Sequence, residues 1–139
     1  MAIRGLVEAY AQAADLPDGD AMAELFLPDG LMFVYRDPMK PAESSLRSGR
    51  AEISAVGELL KQNISTMHVI ANHTATVTGD AARAKTRCLA HHLNGIGADR
   101  RDLVMHIEYD DLLVRTPDGW FFAERHIHVV ALDDRPAPT

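Results

Sequence analysis

All seven histidines of this 139-residue chain (His68, His73, His91, His92, His106, His126 and His128) fall from residue 68 onward, in its strand-like part. Histidine, with an ordinary pKa of about 6.5, gives or takes a proton near neutrality, so a crowd of them along one run of strands points to acid–base chemistry. Residues two apart on a strand face the same way, which sorts them. In the stretch around residues 81 to 94, Arg83, Lys85 and Arg87 form one face and Ala84, Thr86, Cys88 and Ala90 the other. Three cations in a row belong in water, which turns His92 inward beside small residues and His91 outward. By the same rule His68, Ile70 and Asn72 share a face, with His73 opposite unless a bulge breaks the register. Further on, Val104, His106, Glu108 and Asp110 alternate with Leu103, Met105, Ile107 and Tyr109. If the even set lines a pocket, Glu108 and Asp110 are desolvated carboxylates with raised pKa, able to donate a proton or a hydrogen bond. The apolar odd set would then lie on the outer face of the sheet and favour a homodimer there. His126 and His128 alternate with Arg125, Ile127 and Val129, and alternation alone does not orient them.

A metal site is the rival use of His126-Ile127-His128 with His92 and His106. A His-x-His barrel needs a downstream glutamate and a further strand bearing histidine, and only eleven residues follow His128. No metal and no cofactor is therefore expected. There is no glycine-rich phosphate loop, no Gly-x-Ser-x-Gly elbow and no Cys/His zinc spacing. Cys88, among small residues in a strand, reads as core.

These side chains need a scaffold. Ile3, Leu6, Val7, Tyr10, Ala11 and Ala14 form one face of an amphipathic helix ending near Asp15, where Pro17 halts it. Asp18 can cap a second helix carrying Met22, Leu25 and Phe26, which Pro28-Asp29-Gly30 closes with a turn. Residues 31 to 35 read as a strand, 37 to 45 as a loop, and Ser48 or Gly49 opens a third helix with Ile53, Val56, Leu59 and Leu60 on its buried side. Four long strands follow at about residues 66–78, 81–94, 102–116 and 120–132, joined by turns at Gly79-Asp80 and Pro117-Asp118-Gly119 and a longer polar loop after Gly95. Helices first and an antiparallel meander afterwards predict an α+β domain in which helices cover one face of a curved sheet, leaving a pocket between them.

Composition narrows the function classes. With 47% hydrophobic residues the chain is expected to be one domain with its own core, ordered over about residues 3 to 132 and ending in a short Pro-rich tail from Arg135 to Thr139. A formal net charge of -6 disfavours nucleic acid and anionic membrane as partners. A single cysteine, the absence of an apolar run of signal-peptide or membrane-span length, and Arg4 and Glu8 near the start make the cytoplasm the expected compartment.

The order of these parts resembles the SnoaL-like families of the nuclear-transport-factor-2-like superfamily. The marks are Tyr10-Ala11 followed by Asp15, Leu25-Phe26-Leu27-Pro28-Asp29-Gly30, the stretch from Gly49 to Ile53, Thr66-Met67-His68 with Asn72, Gly79-Asp80-Ala81, and Tyr109-Asp110-Asp111 up to Gly119-Trp120. The resemblance implies a cone of curved sheet closed by helices. That superfamily includes scytalone dehydratase, bile-acid dehydratase, ketosteroid isomerases, polyketide cyclases and non-catalytic members. Its elimination enzymes pair an aspartate at the end of the first helix with a histidine at the start of the first long strand, and Asp15 and His68 stand in those places. His92 falls where scytalone dehydratase has a second catalytic histidine, and Tyr10, five residues before Asp15, resembles the bile-acid enzyme. That enzyme's late arginine corresponds to Val129, and Glu108 and Asp110 replace a serine and an asparagine of scytalone dehydratase. The expectation is a lyase (dehydratase) or isomerase acting on an apolar small molecule. Asp15, His68, His92 and Tyr10 would be catalytic, and Glu108, Asp110, His106, Asn72 and Phe26 would contact substrate. A non-catalytic binding or assembly domain and a polyketide-cyclase-like enzyme are the alternatives.

Overall fold

The computed structural model describes residues 1–137. Helix α1 (Ile3–Asp15) buries the expected stripe of Ile3, Leu6, Val7, Tyr10, Ala11 and Ala14. Asp18 caps α2 (Gly19–Ala23) by accepting a hydrogen bond from the Ala21 amide at 3.0 Å. α2 is shorter than expected because Phe26 already belongs to strand β1 (Phe26–Tyr35), where it pairs with Phe122. The turn expected at Pro28-Asp29-Gly30 is an irregularity inside that strand, between Phe26 and Leu31. Gly30 makes it possible, since a Cβ there would lie 2.9 Å from the Cβ of Phe26.

The expected loop ends at Ser45 in an additional short strand, β2 (Ser45–Ser48), paired with β1, and α3 (Gly49–Leu59) follows. α3 lies directly on α2, where a Cβ on Gly57 would come within 2.5 Å of the Gly19 Cα. The four long strands are β3 (Ser65–Thr78), β4 (Ala81–Asn94), β5 (Arg101–Thr116) and β6 (Gly119–Pro136). β6 outruns the expected core limit of residue 132, and the Ala137 amide donates to the Arg100 carbonyl. The rest of the expected tail, Pro138 and Thr139, lies outside the described residues.

The six strands form one curved, unclosed sheet in the order β2-β1-β6-β5-β4-β3. Every neighbouring pair is antiparallel except β1 and β6, which run parallel. A meander read along the chain misses this pair, because β5 occupies one edge of β6 and leaves the other to a strand distant in sequence. No helix among the described residues is long and apolar enough to cross a membrane.

Side-chain alternation on β4 is as expected: Ala84, Thr86, Cys88, Ala90 and His92 are buried between exposed cations. On β5 the expected parity is reversed. Ile107, Tyr109, Asp111 and Leu113 are buried on the concave face, while Glu108 reaches Arg87 at 3.2 Å and Asp110 lies 4.0 Å from Arg83 on the convex face. Arg87 sits directly across from Glu108 on β4 and Arg83 diagonally from Asp110, and burying apolar side chains wins over burying acids. The odd-numbered stripe that suggested a dimer partner is thus inside the cone. On β6, Arg125, Ile127 and Val129 point inward, and His126 and His128 stack outside on Phe33 and Tyr35 with ring centroids 4.4 and 4.1 Å apart. A bulge between Ile70 and His73 on β3 brings His73 round to Thr86, with Nδ1 2.7 Å from Oγ1, and leaves Asn72 exposed.

Candidate active site

α1 ends with Asp15 against the first residues of β3. Its carboxylate accepts hydrogen bonds from the Thr66 hydroxyl at 3.1 Å, from the His68 amide at 3.1 Å to each oxygen, and from His68 Nδ1 at 2.7 Å. A carboxylate has no proton to give in its ionised form, so Nδ1 carries the hydrogen and Nε2 is the ring's free acceptor. Thr66 is a site residue that alternation did not find; its adjacency to His68 in the Thr66-Met67-His68 run was the available signal.

His92 reaches the same state by another route. Its Nδ1 donates to the Leu103 carbonyl of β5 at 3.1 Å, again leaving Nε2 free. The two rings are nearly perpendicular, with centroids 5.9 Å apart. Both line a cavity of about 490 Å³ between sheet and helices, together with Tyr10, Tyr109 and apolar walls from Val56, Leu59, Leu60, Met105, Ile107, Ile127 and Val129. That volume suits a small organic ligand. His68 and Asp15 also border a separate groove beside α1, lined by Glu8, Ala11, Gln12, Leu16 and Ile70. The dyad is therefore reached from the cavity through His68 and from the outside through Asp15.

Burial lowers the pKa of His68 below its ordinary 6.5, with the Asp15 hydrogen bond and charge offsetting part of that effect. The neutral base form is accordingly the resting state at neutral pH. If it is the active form, kcat/KM should hold its plateau below pH 6.5 and fall only when the ring takes up a proton; an acid-limb midpoint above 6.5 would contradict this. Stability has the same sign. The folded value lies below the unfolded one, so this contribution is complete above pH 6.5 and is lost as pH falls through the lowered value.

Tyr10 is buried and its phenol is raised to about 12, chiefly by desolvation and against the opposing charge of Arg125. It is a hydrogen-bond donor at neutral pH. Arg125, which alternation could not orient, is wholly buried beneath the cavity with Asp111, whose Oδ1 lies 3.2 Å from its Nε. The guanidinium carbon sits 3.6 Å from the Tyr109 ring centroid, 4.1 Å from that of Tyr10 and 4.6 Å from that of Phe122. None of its nitrogens, nor either Asp111 oxygen, makes an aligned hydrogen bond, so charge attraction and ring faces hold the pair. Asp111 and Arg125 are direct cross-strand partners, each among the apolar residues of its own strand, which was the legible hint. Cys88 is buried with its thiol raised to about 11, mainly by desolvation, as befits a core residue.

His68, His92 and Tyr10 thus line one cavity, and Asp15 stands behind His68, bonded to its Nδ1. The expected substrate contacts do not line it. Glu108, Asp110 and His106 belong to the convex face, Asn72 is exposed in the β3 bulge, and Phe26 is core, packed on Phe122 and Tyr10. The histidines of the rival metal reading are divided between the two faces of the sheet, His92 inside and the rest outside.

A family model for the SnoaL-like domain matches residues 1–126. The chain belongs to the SnoaL-like domain family. No curated protein matches its sequence. Among solved structures, this SnoaL-like domain is similar to a Novosphingobium aromaticivorans protein provisionally named an aromatic ring hydroxylase, with 23% identity, TM-score 0.80, and coverage of 96% of this chain and 90% of that one. A protein of the same organism provisionally named a scytalone dehydratase has 21% identity and TM-score 0.77 over 99% of this chain and 88% of its own. A Streptomyces avermitilis protein of the NTF2-like family, provisionally named a dehydratase, has 19% identity and TM-score 0.72 over 93% and 94%. At these identities the likeness establishes the fold.

Proposed function

We propose that this SnoaL-like domain is an acid–base lyase of the dehydratase type, with its chemistry carried by protein side chains. The observation that carries the reading is the 2.7 Å contact between Asp15 and His68 Nδ1 at the wall of an apolar cavity. In the proposed reaction, His68 Nε2 removes a proton from a carbon beside a carbonyl, and Asp15 stabilises the imidazolium that forms. Tyr10 donates a hydrogen bond to the developing enolate oxygen without releasing its own proton. His92, with Nδ1 already bonded to Leu103, offers Nε2 to orient a substrate hydroxyl. The abstracted proton then leaves with the β-hydroxyl as water; returned to another carbon, it would complete an isomerisation instead. The provisional names of two structural neighbours accord with the first outcome.

Proton abstraction can be read without knowing which bond breaks next. Polycyclic ketones and β-hydroxy ketones incubated in D2O should exchange their α-hydrogens faster with the protein than without it, by proton NMR. Exchange no faster than in buffer across the panel would favour a non-catalytic binding domain.

A further inference from the structure

The cavity wall holds Arg36 and Arg47 as well as His68 and His92, and it contains no aspartate or glutamate. That is unexpected in a chain with 20 acidic residues and a net charge of -6. Arg47 is half-buried and Arg36 exposed, both at the rim of the cavity. Arg47 of β2 lies opposite Met32, a fully buried core residue of β1, and Arg36 follows Val34 of the same face by two positions. Most other arginines are paired: Arg83, Arg87, Arg101 and Arg115 each have a carboxylate within 4.0 Å, and Arg50 donates to the Phe26 carbonyl, while the Nε of Arg100, outside this cavity, is buried without a partner. Arg36 and Arg47 have no such partner among the described residues.

Strand order separates these arginines from the dyad. Arg47 lies on β2 and Arg36 directly after the end of β1, toward one edge of the sheet; His68 and His92 occupy β3 and β4 at the other, and β6 and β5 lie between. At about 4.8 Å per strand, three spacings separate Arg36 from His92 by roughly 14 Å across the strands, and the register adds an offset along them. Between them run the apolar walls of Met105, Ile107, Ile127 and Val129.

We infer that Arg36 and Arg47 form an anion subsite, and that the ligand of this cavity is an amphipathic acid: an apolar body with a carboxylate or phosphate group held by the arginines and its reactive end at the histidines. The inference rests on the reading of the cavity as a substrate site. Guanidinium forks suit planar or tetrahedral oxyanions, and an arginine left without a counter-charge in a partly enclosed wall is most stable when a ligand supplies one. A wall with no acid to oppose it also draws anions in.

The test uses three probes of equal reach: 4-(2-naphthyl)butanoate, 2-(2-naphthyl)ethyl phosphate and the neutral 4-(2-naphthyl)butanamide. Binding is followed by calorimetry and by the NMR shifts of His68 and His92. At least one acid should bind about tenfold or more tightly than the amide, the worth of one charge-assisted contact. The tighter acid identifies the headgroup. The Arg36→Gln/Arg47→Gln double variant should lose this preference while its Kd for the amide stays within about twofold, and high salt should narrow the gap in the native protein. Equal binding of acids and amide, a preference that survives the double substitution, or no saturable binding at millimolar concentration would each overturn the inference. His68→Ala should keep the preference for the acid. The anion subsite and the catalytic reading can therefore fail separately, one by binding and the other by α-hydrogen exchange.

Discussion

Replacing His68 by alanine should lower turnover, or α-hydrogen exchange, by roughly 10² to 10⁴, the usual worth of a positioned general base. The fold should survive, because the two hydrogen bonds from the His68 amide and the one from the Thr66 hydroxyl still hold Asp15 and the end of α1. Asp15→Asn keeps the shape but removes the charge that supports the imidazolium, so it should reduce kcat more than it raises KM. His91 and His106 supply the controls. His91 bonds Asp102 at 2.8 Å on the other side of β4, and His106 is exposed on the convex face of β5. Alanine at either should leave the rate within about twofold, as expected of side chains remote from the reacting atoms. A His91→Ala loss as large as that of His68→Ala would sink the inward and outward assignments and the proton-abstraction scheme built on them.

The largest effect on stability should come from Asp111→Ala, expected to cost about 3–5 kcal/mol in urea unfolding, because it strands the Arg125 charge where no water reaches it. Both side chains are 0% exposed. Replacing both partners together, as Asp111→Leu with Arg125→Met, should cost far less than the single change or even stabilise the fold, since the desolvation of two charges disappears with them. A loss under about 1 kcal/mol for Asp111→Ala would mean that the pair is hydrated or otherwise compensated. The pH dependence supplies a second check. Burial raises the Asp111 carboxyl from its ordinary 3.8 to about 6 despite the neighbouring Arg125. The folded state then binds this proton more tightly than the unfolded one. The resulting stability is fully present below pH 3.8 and is lost as pH rises through about 6, opposite in sign to the His68 contribution. Asp111→Asn should remove that downward slope, whatever it does to overall stability.

The amphipathic stripe of α1, the Asp18 cap, the tight turns and the alternation of β4 are legible because each depends on neighbours within a few residues. The three cations Arg83, Lys85 and Arg87 were enough to turn His92 inward, and the position of Asp15 and His68 in the order of parts was enough to nominate the dyad. The orientation of β5 was not legible in this way. Glu108 and Asp110 could be placed only once the register set them opposite Arg87 and Lys85 across a loop whose length does not reveal the pairing. The β3 bulge, which exposes Asn72 and turns His73 inward, depends on how two strands accommodate unequal lengths. Arg125 and Asp111 are individually improbable core residues, and only their cross-strand contact and the rings of Tyr10, Tyr109 and Phe122 make their burial tolerable. The parallel pairing of β1 with β6 likewise joins segments about two thirds of the chain apart and carries Arg36 and Arg47 to the side of the cavity away from the histidines. Local periodicity and the chemistry of single residues determined which elements form and which side chains could react. Long-range register, a property of pairs of segments rather than of either one, decided which of them meet.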